Sequence, residues 1–241
     1  MIKIITRLFV LFILLSCSEK DPILKGHREP VFKQSGIEMT KEKIVSLPNN
    51  ITNIKEYNCP YTQDSSNIIW KGNKKIFSGF PTSNFVKSLQ KPTCDENNIY
   101  VGLTTGEVVK ISIKNHNIEW VVDIYKQNSI TTNPTILDIT APIVISNNDL
   151  YVSGLANIFC KLNKINGTKK WCINIGTGNK FLVLEDIIFL VSTDNIVYAL
   201  NKNSGKIFWK TNVKELKDPI YKDKNIIIGK EKIDAMTGLK I

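Results

Sequence analysis

The stretch Ile188–Trp209, IFLVSTDNIVYALNKNSGKIFW, decides the fold of this chain. It contains apolar runs of three to five residues that are rich in Ile and Val and are separated by short polar segments. Runs of this length and composition are typical of β-strands. Gly205 lies between the last two runs, where a tight hairpin needs the positive φ that glycine adopts without steric cost. The stretch therefore predicts three successive antiparallel strands.

Two earlier stretches, 99–120 and 150–171, repeat this arrangement, with an aromatic residue twenty residues before a tryptophan. The pairs are Tyr100 and Trp120, Tyr151 and Trp171, and Phe189 and Trp209. Gly167 and Gly238 occupy positions equivalent to Gly205. A fourth copy starts at Asn225, and the given sequence ends just before the position of its tryptophan. Equal spacing of matching residues indicates a structural repeat.

The repeat interval is 51 residues from Trp120 to Trp171 and 38 residues from Trp171 to Trp209. A unit of roughly 40–50 residues with four short strands is typical of a β-propeller blade. We therefore predict an all-β fold, a partial or small β-propeller with about four recognisable blades, over residues 51–241. Residues 66–80 are expected to add one or two strands. The expected strands are 85–91, 99–104, 107–113, 118–124, 142–145, 150–153, 158–163, 169–175, 181–184, 187–192, 196–201, 207–213, 219–221, 225–228, 230–234 and 239–241.

The N-terminus has the features of an export signal. Lys3 and Arg7 precede the apolar run Leu8–Leu15, and Ser16 provides a small residue before Cys17. The run is too short to cross a hydrocarbon layer, which needs roughly 20 apolar residues. The sequence Leu-Leu-Ser-Cys resembles the bacterial lipobox, which implies cleavage after Ser16 and lipid on Cys17. We expect residues 1–16 to be a lipoprotein signal peptide.

Residues 17–50 are predicted to be a lipidated N-terminal tether, because proline and glycine interrupt a polar segment without clear periodicity. A short helix or strand is expected where this tether meets the propeller. In lipoproteins of this kind, an aspartate directly after the lipid cysteine signals retention in the inner membrane. The residue at that position here is Ser18, so the periplasmic face of the outer membrane is the expected location. The resemblance to the lipobox implies two acyl chains on the Cys17 thiol and a third on the new amino group, and three acyl chains would make a permanent membrane anchor.

The formal net charge of +10 does not indicate a nucleic-acid partner. The lysines are scattered among Asn and Ile, only two arginines occur, and no cationic run interleaves with aromatic residues. Four cysteines follow Cys17, with no CxxC motif and two isolated histidines, so no metal site is expected. Cys160 and Cys172 lie nearly opposite each other on the predicted hairpin, which permits a cross-strand disulfide; two ordinary buried thiols are the alternative.

The segment Ala199–Trp209 matches the pattern Ala-x-Asp/Asn-x-x-x-Gly-Lys-x-x-Trp of PQQ-type propeller repeats at all its fixed positions. The copy at 161–171 keeps the Asn, Gly and Trp but has Lys161 in place of alanine. In propellers of this type the tryptophan packs between adjacent blades. The resemblance therefore implies that Trp120, Trp171 and Trp209 are structural residues, with Gly167, Gly205 and Gly238 as turn glycines.

A lipobox joined to such repeats resembles the BamB family of outer-membrane assembly factors. This resemblance implies a lipid-anchored scaffold that binds a BamA-like barrel-assembly subunit and unfolded outer-membrane proteins. Members of that family resemble eight-bladed rings, whereas four units are recognisable here. The four units could close alone, pair with another copy, gain strands from residues 51–80 or be the remnant of a longer gene.

Two other classes of protein have the same repeats or the same kind of anchor, and their functions are the alternatives. A PQQ-dependent dehydrogenase would need calcium ligands and a catalytic carboxylate, and no such constellation stands out in the sequence. A lipid-anchored binding module with a different envelope partner is the second alternative. We expect no enzyme, no catalytic residues and no cofactor, with PQQ not expected.

Overall fold

The computed structural model describes residues 38–44, 46–48, 57–80, 91–126 and 137–241. In these ranges the chain forms eighteen strands in five antiparallel sheets, all within the compact unit Gln34–Ile241. Within the same ranges, no helix has the length and apolar character needed to cross a membrane. The expected signal peptide, the lipobox-like sequence and Cys17 lie outside the described residues.

Each sheet is a meander in which strands adjacent in sequence are paired. Sheet I consists of β1 (Thr62–Gln63), β2 (Ile68–Lys71) and β3 (Lys74–Ser78). Sheet II consists of β4 (Thr93–Cys94), β5 (Asn98–Gly102), β6 (Glu107–Ser112) and β7 (Ile118–Asp123). Sheet III consists of β8 (Val144–Ser146), β9 (Asp149–Gly154), β10 (Ile158–Asn163) and β11 (Lys169–Ile173).

The last two sheets continue this pattern. Sheet IV consists of β12 (Leu182–Val183), β13 (Ile187–Val191), β14 (Ile196–Asn201) and β15 (Ile207–Asn212). Sheet V consists of β16 (Ile220–Lys222), β17 (Asn225–Ile228) and β18 (Glu231–Asp234), followed by an isolated bridge between Ile233 and Lys240. The same order of short strands in every sheet confirms the predicted all-β fold of a partial β-propeller.

Four apolar clusters lie between successive sheets, which explains why the strands are apolar on both faces. On β9, Leu150 and Val152 pack towards sheet II, while Tyr151 packs towards sheet IV. On β13, Ile188 packs towards sheet III and Phe189 towards sheet V. Successive side chains of a strand point to opposite faces, so a strand between two neighbouring sheets needs apolar residues at consecutive positions.

The structure differs from the predicted strands at its two ends. Residues 62–78 form a complete three-stranded sheet, where one or two strands were expected. Residues 85–90 of the expected strand 85–91 lie outside the described residues, and Lys91 is not in a strand. The expected strand 239–241 is limited to the bridge at Lys240.

Part of the segment assigned to the tether contacts sheets IV and V. Met39 forms a parallel bridge with Ile207, and the Thr40 amide donates to the Ile207 carbonyl oxygen at 2.8 Å. Ile44 and Leu47 are buried in the cluster between these two sheets. These contacts extend the edge of sheet IV by β-pairing and cover its apolar border with sheet V.

Candidate functional site

The predicted tryptophans lie on the outermost strand of their sheets and contact the next sheet. Trp120 on β7 packs against Gly167, Trp171 on β11 against Gly205, and Trp209 on β15 against Gly238. The three glycines have φ values of 72°, 72° and 75°, as the hairpin turns require. Each tryptophan therefore sits on the hairpin turn of the following blade, which joins sheets II to V into one stack.

A side-chain acceptor that precedes the turn glycine stabilises each of two of these hairpins. The Asn201 amide oxygen accepts hydrogen bonds from the backbone amides of Asn203 and Ser204. The Asp234 carboxylate accepts equivalent bonds from the amides of Met236 and Thr237. This local bonding explains why the repeat requires Asn or Asp four residues before the glycine.

We expect Gly205→Ala to lower the free energy of unfolding by about 1–3 kcal/mol. Alanine at a φ of 72° is strained, and its Cβ would lie 2.9 Å from the Trp171 ring. Urea unfolding followed by circular dichroism measures the change. Gly178→Ala is the matched control, because a Cβ there meets no atom closer than 3.5 Å. Equal effects of the two substitutions would contradict this account of the turn.

One of the three indoles lacks the hydrogen bond made by the other two. Trp120 Nε1 donates to the Lys164 carbonyl oxygen at 3.3 Å, and Trp209 Nε1 donates to the Ala235 carbonyl oxygen at 3.0 Å. The equivalent carbonyl, that of Lys202, instead accepts from Lys161 Nζ at 3.2 Å. Trp171 Nε1 is buried and has no partner among the described residues. The lysine that replaces alanine in this repeat has therefore taken the indole's acceptor.

Two disulfides link the cysteines that follow Cys17. Cys160 on β10 and Cys172 on β11 are directly paired, and their Cα atoms are 4.1 Å apart. Cys59 and Cys94, with Cα atoms 5.2 Å apart, join the segment before β1 to the first strand of sheet II. Only the Cys160–Cys172 pair was predicted from the sequence as a possible disulfide. The second bond was not predicted because its cysteines are 35 residues apart in sequence and lie on different elements, Cys59 before β1 and Cys94 on β4.

The first strands of sheets II, III and IV border a cleft with a volume of about 930 Å³. β4, β8 and β12 are the edge strands that face it, and the Cys59–Cys94 disulfide forms part of its wall. Its charged lining residues are Asp95, Lys164, Lys180, Glu185 and Lys202. Lys164 and Lys202 hold equivalent positions in the hairpins of sheets III and IV. Alignment of the repeats reveals that equivalence, but neither lysine was predicted from the sequence to be a functional residue.

Asp95 ties sheet II to sheet III at the mouth of this cleft. Its carboxylate accepts the Tyr100 hydroxyl at 2.9 Å and pairs with Lys164 Nζ at 3.2 Å. Burial alone would raise the pKa of the Asp95 carboxyl above its ordinary value of 3.8. The carboxylate accepts hydrogen bonds from two backbone amides, from the Tyr100 hydroxyl and from the Lys164 ammonium group. Together these bonds outweigh burial and lower the pKa of Asp95.

The lowered pKa of Asp95 predicts a loss of stability in acid. The Asp95 carboxyl binds a proton at higher pH in the unfolded chain than in the folded chain. The stability that Asp95 contributes to the folded state is therefore present above about pH 4 and is lost as the pH falls through the pKa of the folded state. We expect the urea concentration at the unfolding midpoint to decrease as the pH is lowered below about 4. Asp95→Asn is expected to make this decrease smaller. The control is Asp186→Asn, at an exposed turn residue. An unchanged acid dependence in Asp95→Asn would count against this assignment.

The lining of the cleft does not fit a calcium-bound quinone. Of its two carboxylates, that of Asp95 is already held by Tyr100 and Lys164. Across the part of the chain that the structure describes, no three His, Cys, Asp or Glu side chains are grouped to hold a metal ion. The arrangement offers ammonium groups, edge-strand backbone and apolar side chains, which are the elements of a binding surface.

Comparisons with known proteins agree with this architecture. The family model described as outer membrane protein assembly factor BamB matches residues 56–211. An uncharacterized protein of Rickettsia prowazekii is 27% identical over 119 residues, covering 48% of this chain and 28% of that protein. Outer membrane protein assembly factor BamB of Moranella endobia is 26% identical over 141 residues, covering 57% and 36%. The matches thus span about a third of the length of these relatives.

Two solved structures share the fold. The crystal structure of BamB from Moraxella catarrhalis superposes with a TM-score of 0.53 at 17% identity, covering 75% of this chain and 56% of that one. The computationally designed Ika8 protein superposes with a TM-score of 0.50 at 11% identity, covering 77% and 58%. The family model matches more than half of the chain and includes sheets I to III and most of sheet IV. The chain therefore belongs to the outer membrane protein assembly factor BamB family.

Proposed function

We propose that this chain is a lipid-anchored scaffold of the outer-membrane β-barrel assembly machinery, and that it acts through protein–protein contacts. The observation that carries the proposal is the match of the BamB family model to residues 56–211. Its partners are a BamA-like barrel-assembly subunit and unfolded outer-membrane proteins. The stack of tryptophan-docked sheets supports this role, because a scaffold must present its loops in fixed positions.

The proposed location is the periplasmic face of the outer membrane, with the lipid on Cys17. The apolar run Leu8–Leu15 and the residues Leu14-Leu15-Ser16-Cys17 support export and lipidation. The proposed function uses no cofactor, and the lining of the cleft supports a binding role over a dehydrogenase role. Catalysis by any residue of this chain is not part of the proposal.

An affinity tag after Ile241 allows the partner to be identified. We expect the barrel-assembly subunit to be the main protein recovered with the tagged chain from detergent-solubilised envelope membranes. The control variant carries Trp209→Ala, which removes a blade contact but leaves the lipobox intact. Recovery of a different envelope protein as the main partner would overturn the proposed function in favour of another binding module.

The anchor has a separate test. Cys17→Ala is expected to move the chain from the membrane fraction to the soluble periplasmic fraction, because the thiol that would carry the diacyl group is gone. Mass spectrometry of the N-terminal peptide of the wild-type chain reports the acyl chains directly. An unmodified Cys17 in membrane-bound protein would disprove the lipid anchor while leaving the partner assignment open to the first test.

A further inference from the structure

The cleft beside β4, β8 and β12 is bordered by edge strands of three successive sheets. Each of these strands pairs on one side with the second strand of its own sheet. On the cleft side they pair with no strand of the described residues. An edge strand presents backbone amides and carbonyl groups that an added extended chain can bind. The cleft therefore offers main-chain donors and acceptors from three directions.

Apolar side chains provide the second component of the cleft. Its lining includes Pro92, Pro142, Ile143, Val144, Phe181 and Val183. A volume of about 930 Å³ accommodates a segment of a few residues. Since the cleft combines apolar walls with edge-strand backbone, it suits an extended peptide better than a compact polar molecule.

The third component is a fixed ammonium group at Lys202. Its Nζ donates to Ser146 Oγ at 3.0 Å and to the Leu184 carbonyl oxygen at 3.1 Å. An ammonium has three protons, so one donor remains for a ligand. Neither Lys202 nor Lys180 is in an ion pair with any described residue, whereas Lys164 is paired with Asp95.

Lys202 also lies in an environment that disfavours its positive charge. Burial is the largest cause, and repulsion from Lys161 is the next, so the pKa of Lys202 is lowered. Three nearby carboxylates, those of Asp186, Asp149 and Glu185, act in the opposite direction without compensating fully. An anionic group bound at Lys202 would stabilise its positive charge and accept a charge-assisted hydrogen bond from the remaining ammonium proton.

We propose that this cleft binds an extended, acidic peptide segment of a partner protein. A side-chain carboxylate of the segment contacts Lys202 and Lys180, its backbone pairs with the edge strands, and its apolar side chains contact Val144 and Phe181. The proposal goes beyond the scaffold function, since it requires neither the lipid anchor nor a particular assembly subunit. A failed pull-down would therefore leave it intact, and a failed peptide titration would leave the scaffold function intact.

The test is a titration of the purified full chain with a fluorescein-labelled hexapeptide of alternating Glu and Val, with blocked ends. Two further probes are the matched peptide of alternating Gln and Val, and free glutamate. Fluorescence anisotropy measures binding of the labelled peptides, and competition measures binding of glutamate. We expect the Glu peptide to bind at least roughly tenfold more tightly than the Gln peptide, and glutamate not to compete.

Three variants locate the binding. Lys180→Glu and Lys202→Met are each expected to weaken binding of the Glu peptide by roughly tenfold or more. Lys210→Glu on β15 is the matched control, because it makes the same charge change outside the cleft and is expected to leave binding unchanged. Lys202 contacts two neighbouring groups, so Lys180→Glu decides the outcome if Lys202→Met does not fold by circular dichroism.

The proposal is overturned if the Glu peptide does not bind, if the Gln peptide binds equally well, or if Lys180→Glu and Lys210→Glu have the same effect. Equal inhibition by free glutamate and by the peptide would also overturn it, because the site would then recognise a carboxylate and not an extended chain.

Discussion

Replacing Trp209 with alanine is expected to lower the free energy of unfolding by about 3–5 kcal/mol. Trp209 is 7% exposed and packs between sheets IV and V, with its ring centre 5.7 Å from that of Phe189. It also donates to the Ala235 carbonyl oxygen. Alanine would leave a cavity against Gly238 and an unpaired carbonyl group, and both effects destabilise the boundary between the two sheets.

The matched variant Trp209→Phe separates packing from hydrogen bonding. Phenylalanine keeps an aromatic ring in the cavity but has no indole N–H, so its cost should be clearly smaller than that of alanine. Urea unfolding followed by far-UV circular dichroism avoids reliance on the fluorescence of the residue that is changed. A loss below about 1 kcal/mol for Trp209→Ala would show that this indole does not stabilise the stack.

Removing the Cys59–Cys94 disulfide by a double substitution to serine is expected to cost about 3–4 kcal/mol. The bond closes a loop with a sequence separation of 35 and joins the segment before sheet I to β4 of sheet II. Without it, the unfolded chain gains conformational freedom, while the folded chain loses a covalent link between the segment before β1 and sheet II. The effect should be seen as a lower urea midpoint of the double variant.

The Cys160–Cys172 pair is the control for that experiment. Its sequence separation is 12 and both cysteines lie on one hairpin, so the loop-closure contribution is smaller by about 1 kcal/mol. Peptide mass spectrometry without reductant identifies each pairing. Dithiothreitol should lower the urea midpoint of the wild type more than that of the Cys59–Cys94 double variant. If the two midpoints shift equally, the Cys59–Cys94 bond does not make the larger contribution to stability.

The local features of the repeat were predictable because they depend on residues close together in sequence. Gly167, Gly205 and Gly238 marked the hairpins, since each turn needs a positive φ at that position. The short apolar run of β13, rich in Ile and Val, indicated a strand. The first sheet was harder to identify from sequence, because residues 62–78 include the charged pair Lys74 and Lys75 and lack the aromatic-to-tryptophan spacing of the other copies.

The features that could not be predicted join residues that are far apart in sequence. Met39 pairs with Ile207, Cys59 with Cys94, and Asp95 with Lys164. Nothing in the spacing of these residues specifies their partners, because each contact forms only when two elements pack together. The same reason explains why Lys180 and Lys202 appeared in the sequence as two of many scattered lysines.

The amino-acid sequence by itself determined the order of strands β5 to β18 and the hairpin turns, because strand periodicity and turn geometry are set within a few residues. The inter-blade role of the tryptophans was implied by the resemblance of the repeats to PQQ-type propellers. Only the tertiary structure decided that the described residues form five sheets, that Cys59 bonds with Cys94, and that three edge strands face one cleft together with two ammonium groups that have no ion-pair partner among those residues. Those outcomes depend on how whole sheets stack, and stacking brings together side chains that no local pattern connects.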